Sequence, residues 1–501
     1  MPVNARRGAC LLLACTLVLA LPVHAGKPLI SDRDLERLNR NAQLLGGVLQ
    51  SFRQKRTMSP VERQRWAYGV VRQPQLDGAL DQVLQEIRGA AGAKAPAARV
   101  HVIPDPTFQA YAAEDGSIFV AAGMLQSLES RDEVAALLAH EYVHVLRKHP
   151  GKSVLESAKG VGAGLTSLYL DREYAGVSAS RPSTDYVRDA LVRETAMQSV
   201  QAGIVPTRAR AQEDEADRLG TDLMVAAGYN PIGMMDMLGR MELWEQQRRQ
   251  AGVPSPAVQQ GVAATLGKYL QNSDQARSAK RRLDDSKGVD NLIAALVGAT
   301  QQRVQQAGSN THRDSAQRIE RVGAHIETRH ADLERPDMRP LPWAGDAQVG
   351  AMFASMQLAH QVLAADTARL TRAQQDGVLQ ALVRSPAAET PLVRYTAMRL
   401  MESQMDRDKA LPVLQGEIGR NDSLFALHQL TLDMASRSSN RAQALQVLET
   451  SRKSLGDPPE LLPYGVRLHR RAGDANSARI FAARCAGSGD DRLKRACQEE
   501  L

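Results

Sequence analysis

The sequence predicts a mainly α-helical protein with a small β-sheet, organised as two folded parts. The first part contains two short runs of β type, Arg99–Ile103 and 117–120, followed by an apolar helix that runs from about residue 131 towards Pro150. The second part, beyond a proline-rich stretch at 335–345, is helical in pattern to the end of the chain. The 501 residues, 43% of them apolar, are enough for two or more domains with sizeable cores.

The apolar helix carries two histidines on one face. Ser130 and Glu133 have the spacing of a capping box, which predicts that the helix starts there. His140 and His144 lie four residues apart, so both imidazoles can bind one Zn²⁺. Glu141 follows the first histidine and can reach water at the metal. This is the His-Glu-x-x-His pattern of zinc peptidases, and a chance match is the alternative.

A zinc site of this type needs a third protein ligand, and an acidic cluster downstream offers one. Four acidic residues fall between 213 and 217, on a stretch that reads as a second helix. Glu213 and Asp217 share a face, which suits Glu213 as the ligand and Asp217 as a partner that orients one histidine. Glu215 lies about 160° from Asp217 around the helix and is the weaker candidate. A solvated acidic face is the alternative interpretation.

These two motifs resemble those of a known family. The His-Glu-x-x-His motif at 140–144, followed by Glu-x-x-Ala-Asp at 213–217, is similar to the gluzincin peptidases of the HtpX and CAAX-prenyl-protease type. Residues 116–125 and 226–231 are similar to the family's strand with a Gly-Leu turn and to its Gly-Tyr-Asp-Pro turn. The resemblance covers about residues 60–330 and is closest to the periplasmic branch of the family. It implies a zincin-like metallopeptidase domain with one Zn²⁺ per chain, then tetratricopeptide-like repeats, and a role in outer-membrane protein assembly and quality control.

Two further histidines lie near the motifs. The segment 311–319 resembles the family's Thr-His-Pro…Glu-Arg-Ile segment, with Arg313 where proline is usual. The resemblance implies that His312 approaches the zinc from a loop, as a gate or a transition-state donor, and a plain surface histidine is the alternative. His149, five residues past His144, is predicted to point away from the metal as a structural or surface residue.

A short apolar run precedes the zinc helix. Ser117, Ile118, Phe119 and Val120 are predicted to form an edge strand to which an extended substrate adds by backbone hydrogen bonds. Such pairing reads little side-chain identity, which suits a protease for unfolded segments. An ordinary inner strand is the alternative.

The N-terminus predicts export. Residues 1–25 have the basic start, apolar core and cleavage site of a signal peptide, with cleavage after Ala25; a lipoprotein signal at Cys15 is the alternative. No later run of about 18 apolar residues exists, so no transmembrane segment is predicted after cleavage. The expected location is the periplasm. There, Cys485 and Cys497 are expected to form a disulfide, with two free thiols as the alternative.

The second part contains a repeated pattern. Three similar segments begin at Ala410, Ala444 and Ala478, which are 34 residues apart, the tetratricopeptide period. The usual Trp, Gly and Tyr positions are poorly kept, so a generic helical array is the alternative. Either would stack into an α-helical solenoid with a concave binding face. The predicted boundaries are a signal peptide at 1–25, a metallopeptidase domain at 26–334, a linker at 335–350 and a repeat domain at 351–501.

The predicted function is zinc-dependent hydrolysis of misfolded or stalled envelope proteins, with Glu141 as the proton-transferring group. The predicted partners are these substrates and, through the repeats, the outer-membrane assembly machinery. A formal net charge of +7 is mild for so long a chain, and no dense basic tract indicates nucleic acid. The alternatives are a chaperone or scaffold with latent protease activity and a purely structural zinc site.

Overall fold

The structure, a computed structural model, describes residues 58–149, 152–153, 206–251, 315–364, 371–405, 407–488 and 491–501. The predicted signal peptide, Cys15 and His312 lie outside these residues. Within them the chain is mainly α-helical with a small β-sheet, which confirms the predicted fold class.

The first part of the chain contains a three-stranded sheet, a short strand pair and the helices that surround the sheet. In chain order these are α1 (Pro60–Arg63), α2 (Pro74–Ala90), β1 (Arg99–Ile103), β2 (Ala110–Ala112), β3 (Ser117–Ala121), α3 (Ala122–Ser127), α4 (Arg131–Leu146), β4 (Lys152–Ser153), β5 (Pro206–Thr207), α5 (Arg210–Ala226), α6 (Ile232–Ala251) and α7 (Ser315–Arg329).

The sheet has the order β1–β3–β2, so β3 is its central strand. β3 runs parallel to β1, with Val100 opposite Ile118, and antiparallel to β2, with Tyr111 opposite Phe119. The prediction that 117–120 form an edge strand is therefore wrong. All five residues of β3 are buried, because an unbroken apolar run covers both faces of the strand and suits the middle of the sheet.

α4 is the core helix of this part. Ser130 caps it by accepting a hydrogen bond from the Glu133 N–H at 3.1 Å. Every residue from Asp132 to His144 is buried, as expected for a helix that is apolar nearly all round. α2, α5 and α6 pack against it. The histidine motif thus lies on the buried part of this helix.

The predicted linker is packed against the start of α4. The Arg131 N–H donates to the Arg339 carbonyl, and the Arg339 N–H donates to Asp132 Oδ2, both at 2.8 Å. The Arg339 guanidinium also lies 3.9 Å from the Tyr229 ring centroid. The next helix begins at Ala347, so the last four residues of the predicted linker are helical.

Helices fill the rest of the described chain. They are α8 (Ala347–Ala364), α9 (Arg372–Val383), α10 (Pro391–Gln404), α11 (Arg407–Ile418), α12 (Phe425–Arg437), α13 (Arg441–Leu455), α14 (Leu462–Arg471), α15 (Ala475–Gly487) and α16 (Asp491–Glu499).

The three repeated segments lie on α11, α13 and α15. Their leading residues Ala410, Ala444 and Ala478 are all buried, and each of these helices contacts the helix before it. Cys485 and Cys497 form a disulfide between α15 and α16. Among the residues that the structure describes, no helix is long and apolar enough to cross a bilayer.

The helical array joins the first part through residues 65–69. Arg65 donates to the carbonyls of Ser423 and Ser454 at 3.0 and 2.9 Å, and Trp66 stacks on Phe425 with ring centroids 5.5 Å apart. His360 of α8 donates to the Pro104 carbonyl. The buried residues of both parts form one continuous core.

Candidate metal centre

Two helices bring three ligand-type side chains to one point. α4 supplies His140 and His144 one turn apart, and α5, packed across it, supplies Glu213. Their exposed fractions are 2%, 3% and 5%. Gly220 permits the close approach of α5 to α4. A Cβ at this position would lie 3.2 Å from the backbone nitrogen of His140.

The distances between the candidate ligand atoms are close to those around a tetrahedral zinc ion. His140 Nε2 and His144 Nε2 are 3.2 Å apart. His140 Nε2 lies 3.4 Å from Glu213 Oε2, and His144 Nε2 lies 3.4 Å from the other oxygen, Oε1. A tetrahedron with metal–ligand bonds of about 2.0–2.1 Å has edges of about 3.3–3.4 Å. The residues therefore fit Zn²⁺ with three protein ligands, which leaves one corner of the coordination sphere for water or substrate.

The other ring nitrogen of His140 is held by a buried ion pair. His140 Nδ1 lies 2.9 Å from Asp217 Oδ1, and Arg318 of α7 binds the same carboxylate through Nε at 2.7 Å and Nη2 at 2.6 Å. Burial raises the pKa of Asp217, but the Arg318 charge and hydrogen bonds outweigh it and hold that pKa well below its usual range. An ionised Asp217 accepts a hydrogen bond from Nδ1–H, which leaves Nε2 as the metal-binding nitrogen.

His144 is oriented by a different chain of contacts. His144 Nδ1 lies 2.8 Å from His149 Nδ1, and His149 Nε2 lies 3.2 Å from Glu215 Oε2. If the His149 Nε2–H donates to Glu215, His149 Nδ1 accepts from His144 Nδ1–H, and His144 Nε2 is left for the metal. Arg147 completes the chain with an ion pair to Glu215 at 2.8 Å.

The prediction that His149 points away from the metal face is wrong. It extrapolated the turn of the helix past its end, whereas α4 stops at Leu146 and Lys148 takes a φ of +52°. This reversal folds His149 back under His144. A turn signal was present in the sequence, because Pro150 cannot continue a helix.

The pKa values of the two imidazoles are shifted in opposite directions. Burial lowers the pKa of His140, but the hydrogen bonds and charges of Asp217 and Glu213 outweigh it and raise that pKa to about 10. Burial lowers the pKa of His144 to about 4, against the opposing hydrogen bond to Glu213. The acidic surroundings of His140 therefore favour a cation, either a proton or a metal ion, at this point.

Glu141 and Arg208 complete the described surroundings. Glu141 follows His140 on α4 and is 2% exposed. Arg208, just before α5, donates to the carbonyls of His149 and Ala112 at 2.6 and 2.8 Å. It thereby ties the turn after α4 to strand β2. No sequence pattern points to Arg208, whereas Arg318 lies inside the family-like segment at 311–319.

The sequence is similar to those of known metallopeptidases. The chain is 26% identical over 189 residues to a proposed beta-barrel assembly-enhancing protease of Vibrio cholerae, a match that covers 38% of this chain and 37% of that protein. It is also 26% identical over 172 residues to the mitochondrial metalloendopeptidase OMA1 of Schizosaccharomyces pombe, covering 34% of this chain and 46% of that protein. OMA1 of Saccharomyces cerevisiae is 26% identical over 156 residues, covering 31% and 40%. The matches thus span less than half the length of each relative.

The family model described as peptidase family M48 matches residues 74–326, just over half of the chain. This range contains the sheet, both ligand-bearing helices and Arg318. The chain therefore belongs to peptidase family M48.

Proposed function

We propose that this protein is a zinc-dependent endopeptidase that acts on misfolded or stalled proteins of the cell envelope. The observation that carries the proposal is the set of distances among His140 Nε2, His144 Nε2 and the Glu213 oxygens, 3.2, 3.4 and 3.4 Å. His140, His144 and Glu213 would hold one Zn²⁺ per chain, and Asp217 would orient His140.

Zn²⁺ bound at these ligands supplies a Lewis acid that makes water a nucleophile near neutral pH and polarises the scissile carbonyl. Glu141 accepts a proton from the attacking water and then passes it to the leaving amine. Arg318 and Asp217 hold the His140 ring in place, and the His149–Glu215 contact holds the His144 ring. Because the attack comes from water, no covalent intermediate with the chain is needed.

Strand β2 is the edge that suits an extended substrate. It pairs with β3 on one side in the described sheet, and it packs against α4, the helix that carries His140 and His144. Arg208 holds the Ala112 carbonyl at its end. We propose that substrate backbone adds at Ala110–Ala112 rather than at 117–120, a mode of binding that would read little side-chain identity.

The envelope role rests on the predicted export and on the Vibrio relative. That relative is described as a proposed beta-barrel assembly-enhancing protease, and residues 1–25 carry the predicted signal peptide. We propose a periplasmic location, with the helical array of α8–α16 as tetratricopeptide-like repeats that engage substrate or the outer-membrane assembly machinery.

The test compares full-length wild type, Glu141→Gln and the control Glu114→Gln, whose carboxylate is on the surface beside Arg63. Degradation of casein and of an unfolded β-barrel precursor is measured beside zinc content. We expect Glu141→Gln to keep its zinc and to lose cleavage by about 10²–10⁴-fold, because a general acid–base group contributes that much. Equal cleavage by all three proteins would refute the proposal. Unchanged outer-membrane phenotypes in cells that carry Glu141→Gln would favour the chaperone alternative.

A further inference from the structure

A second cluster of metal-ligand side chains lies between α5 and the end of α7, away from the first centre. Asp222 of α5 meets His325 of α7 and His330, the residue that follows α7. The Asp222 Oδ1 atom lies 2.9 Å from His325 Nε2 and 2.8 Å from His330 Nε2. The two rings stand at 81° with centroids 5.8 Å apart, so both Nε2 atoms face one point from different directions.

The donor set suits a divalent transition metal. Two imidazole nitrogens and one carboxylate oxygen are ligands that Zn²⁺ accepts in proteins. The side chains are 14–28% exposed, so an ion can enter from solvent and keep water in its remaining positions. Tetrahedral Zn²⁺ needs ligand atoms about 3.3 Å apart. The observed spacing must therefore widen by about half an ångström, which partly exposed side chains near the ends of α5 and α7 can accommodate.

The surrounding charge limits the affinity of this cluster. Arg329 lies with Nε 3.8 Å from Asp222 Oδ2, and its side chain is 67% exposed. A cation so placed competes with a metal ion for the carboxylate, but an exposed arginine can swing into solvent. The cluster should therefore bind a metal more weakly than the enclosed centre at His140.

The position of the cluster gives it a structural consequence. α5 also carries Glu213 and Asp217, and α7 also carries Arg318, which binds Asp217. Asp222 is nine residues beyond Glu213, or about 13 Å along the helix axis. A metal ion on Asp222, His325 and His330 would fasten α5 to α7 at a second point, beyond the ion pair that orients His140.

We propose that Asp222, His325 and His330 form a second, lower-affinity Zn²⁺ site that clamps α5 to α7. The proposal does not require the chain to cleave peptides, and metal binding tests it directly. Without an ion each histidine donates its Nε2–H to Asp222. Metal binding at Nε2 would require the other neutral tautomer of each ring, with the proton on Nδ1.

The test counts the ions bound by the full chain. Zn²⁺ and Co²⁺ are titrated by calorimetry and by Co²⁺ absorption into wild type and a His325→Gln/His330→Gln variant. The control is His469→Gln, which removes an equally shielded histidine that contacts, among the described residues, one carboxylate, Asp474, at 3.2 Å. We expect wild type and the control to bind two ions and the double variant one, with loss of the weaker binding step. The weaker step should also raise the thermal unfolding temperature of wild type and not that of the double variant.

Two single substitutions keep the test informative if the double variant does not fold. Asp222→Asn should abolish the weaker step, whereas Arg329→Ala should strengthen it by up to about fivefold, because it removes a competing exposed charge. One ion per chain in wild type, or an identical weaker step in wild type and the histidine variants, would overturn the proposal. The cluster would then be held by hydrogen bonds alone.

Discussion

At the scale of single residues, the centre depends on which ring nitrogen of each histidine carries a proton. Asp217 fixes His140 and His149 fixes His144, each through Nδ1. Both Nε2 atoms are thereby directed at Glu213. The contacts around the ligands thus prepare the site for a cation before one binds.

The His149 contact yields a first prediction. His149→Ala removes the acceptor that orients His144 while leaving all three proposed ligands in place. Zinc affinity should fall by about 10–100-fold, the range for loss of such a supporting group. Competition with a chromophoric chelator measures it, with His101→Ala, in strand β1, as the control. An affinity equal to that of wild type would show that His149 plays no part in orienting the ligand.

The sequence predicts the three proposed ligands and Asp217, but not the contacts that His149 and Arg318 make to them. His140, His144, Glu213 and Asp217 follow from helical spacing, since each pair lies four residues apart on one helix. The approach of His149 depends on a turn with positive φ, and that of Arg318 on the packing of α7, about a hundred residues beyond Asp217. Spacing along one helix carries no information on such contacts.

At the scale of elements, the centre requires α5 to lie very close to α4. A Cβ on Gly220 would lie 3.2 Å from the His140 backbone nitrogen and 3.1 Å from Met234 Cε. A methyl group at this position must therefore displace Met234 and the His140 backbone by a few tenths of an ångström.

Gly220→Ala should accordingly weaken zinc binding and lower stability, by about 1–3 kcal/mol, because the added methyl group overpacks the contact. The control Gly78→Ala lies on α2 with open space around it, and it should stabilise the chain by about 0.5–1 kcal/mol. Urea unfolding and zinc titration measure both effects. A Gly220→Ala chain as stable and as zinc-avid as the Gly78→Ala chain would contradict the account.

In the sheet, sequence patterns predict two of the strands but not the order of the strands. The runs at 99–103 and 117–120 were identifiable as strands, because β-branched and aromatic residues dominate them. Their order was not, since strand β2 is only three residues long and Ala110–Ala112 has no strong β pattern. Without β2, β3 has only β1 as a neighbour, and this is why 117–120 was predicted to be an edge strand.

At the scale of the whole molecule, a small set of contacts by Arg65 and Trp66 connects the first part to the helical array. Arg65 donates to Ser423 and Ser454, and Trp66 stacks on Phe425. Nearby, His428 lies fully buried with Nδ1 3.1 Å from Ser451 Oγ. Polar contacts within this shared core couple the folding of the two parts.

Arg65→Ala should destabilise the protein by about 1.5–3 kcal/mol, because it removes charged donors from partly buried carbonyls. The comparison is Arg372→Ala, which removes an exposed arginine that pairs with Asp376 on its own helix and should change stability by less than about 0.5 kcal/mol. Midpoints of urea unfolding give both values. Equal midpoints for the two variants would show that the Arg65 contacts contribute no stability.

His428 predicts a pH dependence. Burial and the Arg65 charge lower its pKa to about 3, whereas an unfolded histidine titrates near about 6.5. The unfolded chain therefore binds more protons between these values, and stability falls as pH drops through that window. In His428→Gln the dependence should be flatter by up to about 1.4 kcal/mol per pH unit. Unfolding from pH 7 to pH 4 measures it, and identical slopes for the two proteins would count against a neutral, buried His428.

The most direct measurement is the zinc content of Glu213→Gln beside the control Asp214→Asn, whose carboxylate pairs with Arg321. Both are made in chains that carry His325→Gln and His330→Gln, so that the count reports the centre on α4 alone. After dialysis against a weak chelator, we predict one zinc ion per chain for Asp214→Asn and none for Glu213→Gln. Retention of zinc by Glu213→Gln with unchanged affinity would contradict the three-ligand centre on which the peptidase function depends.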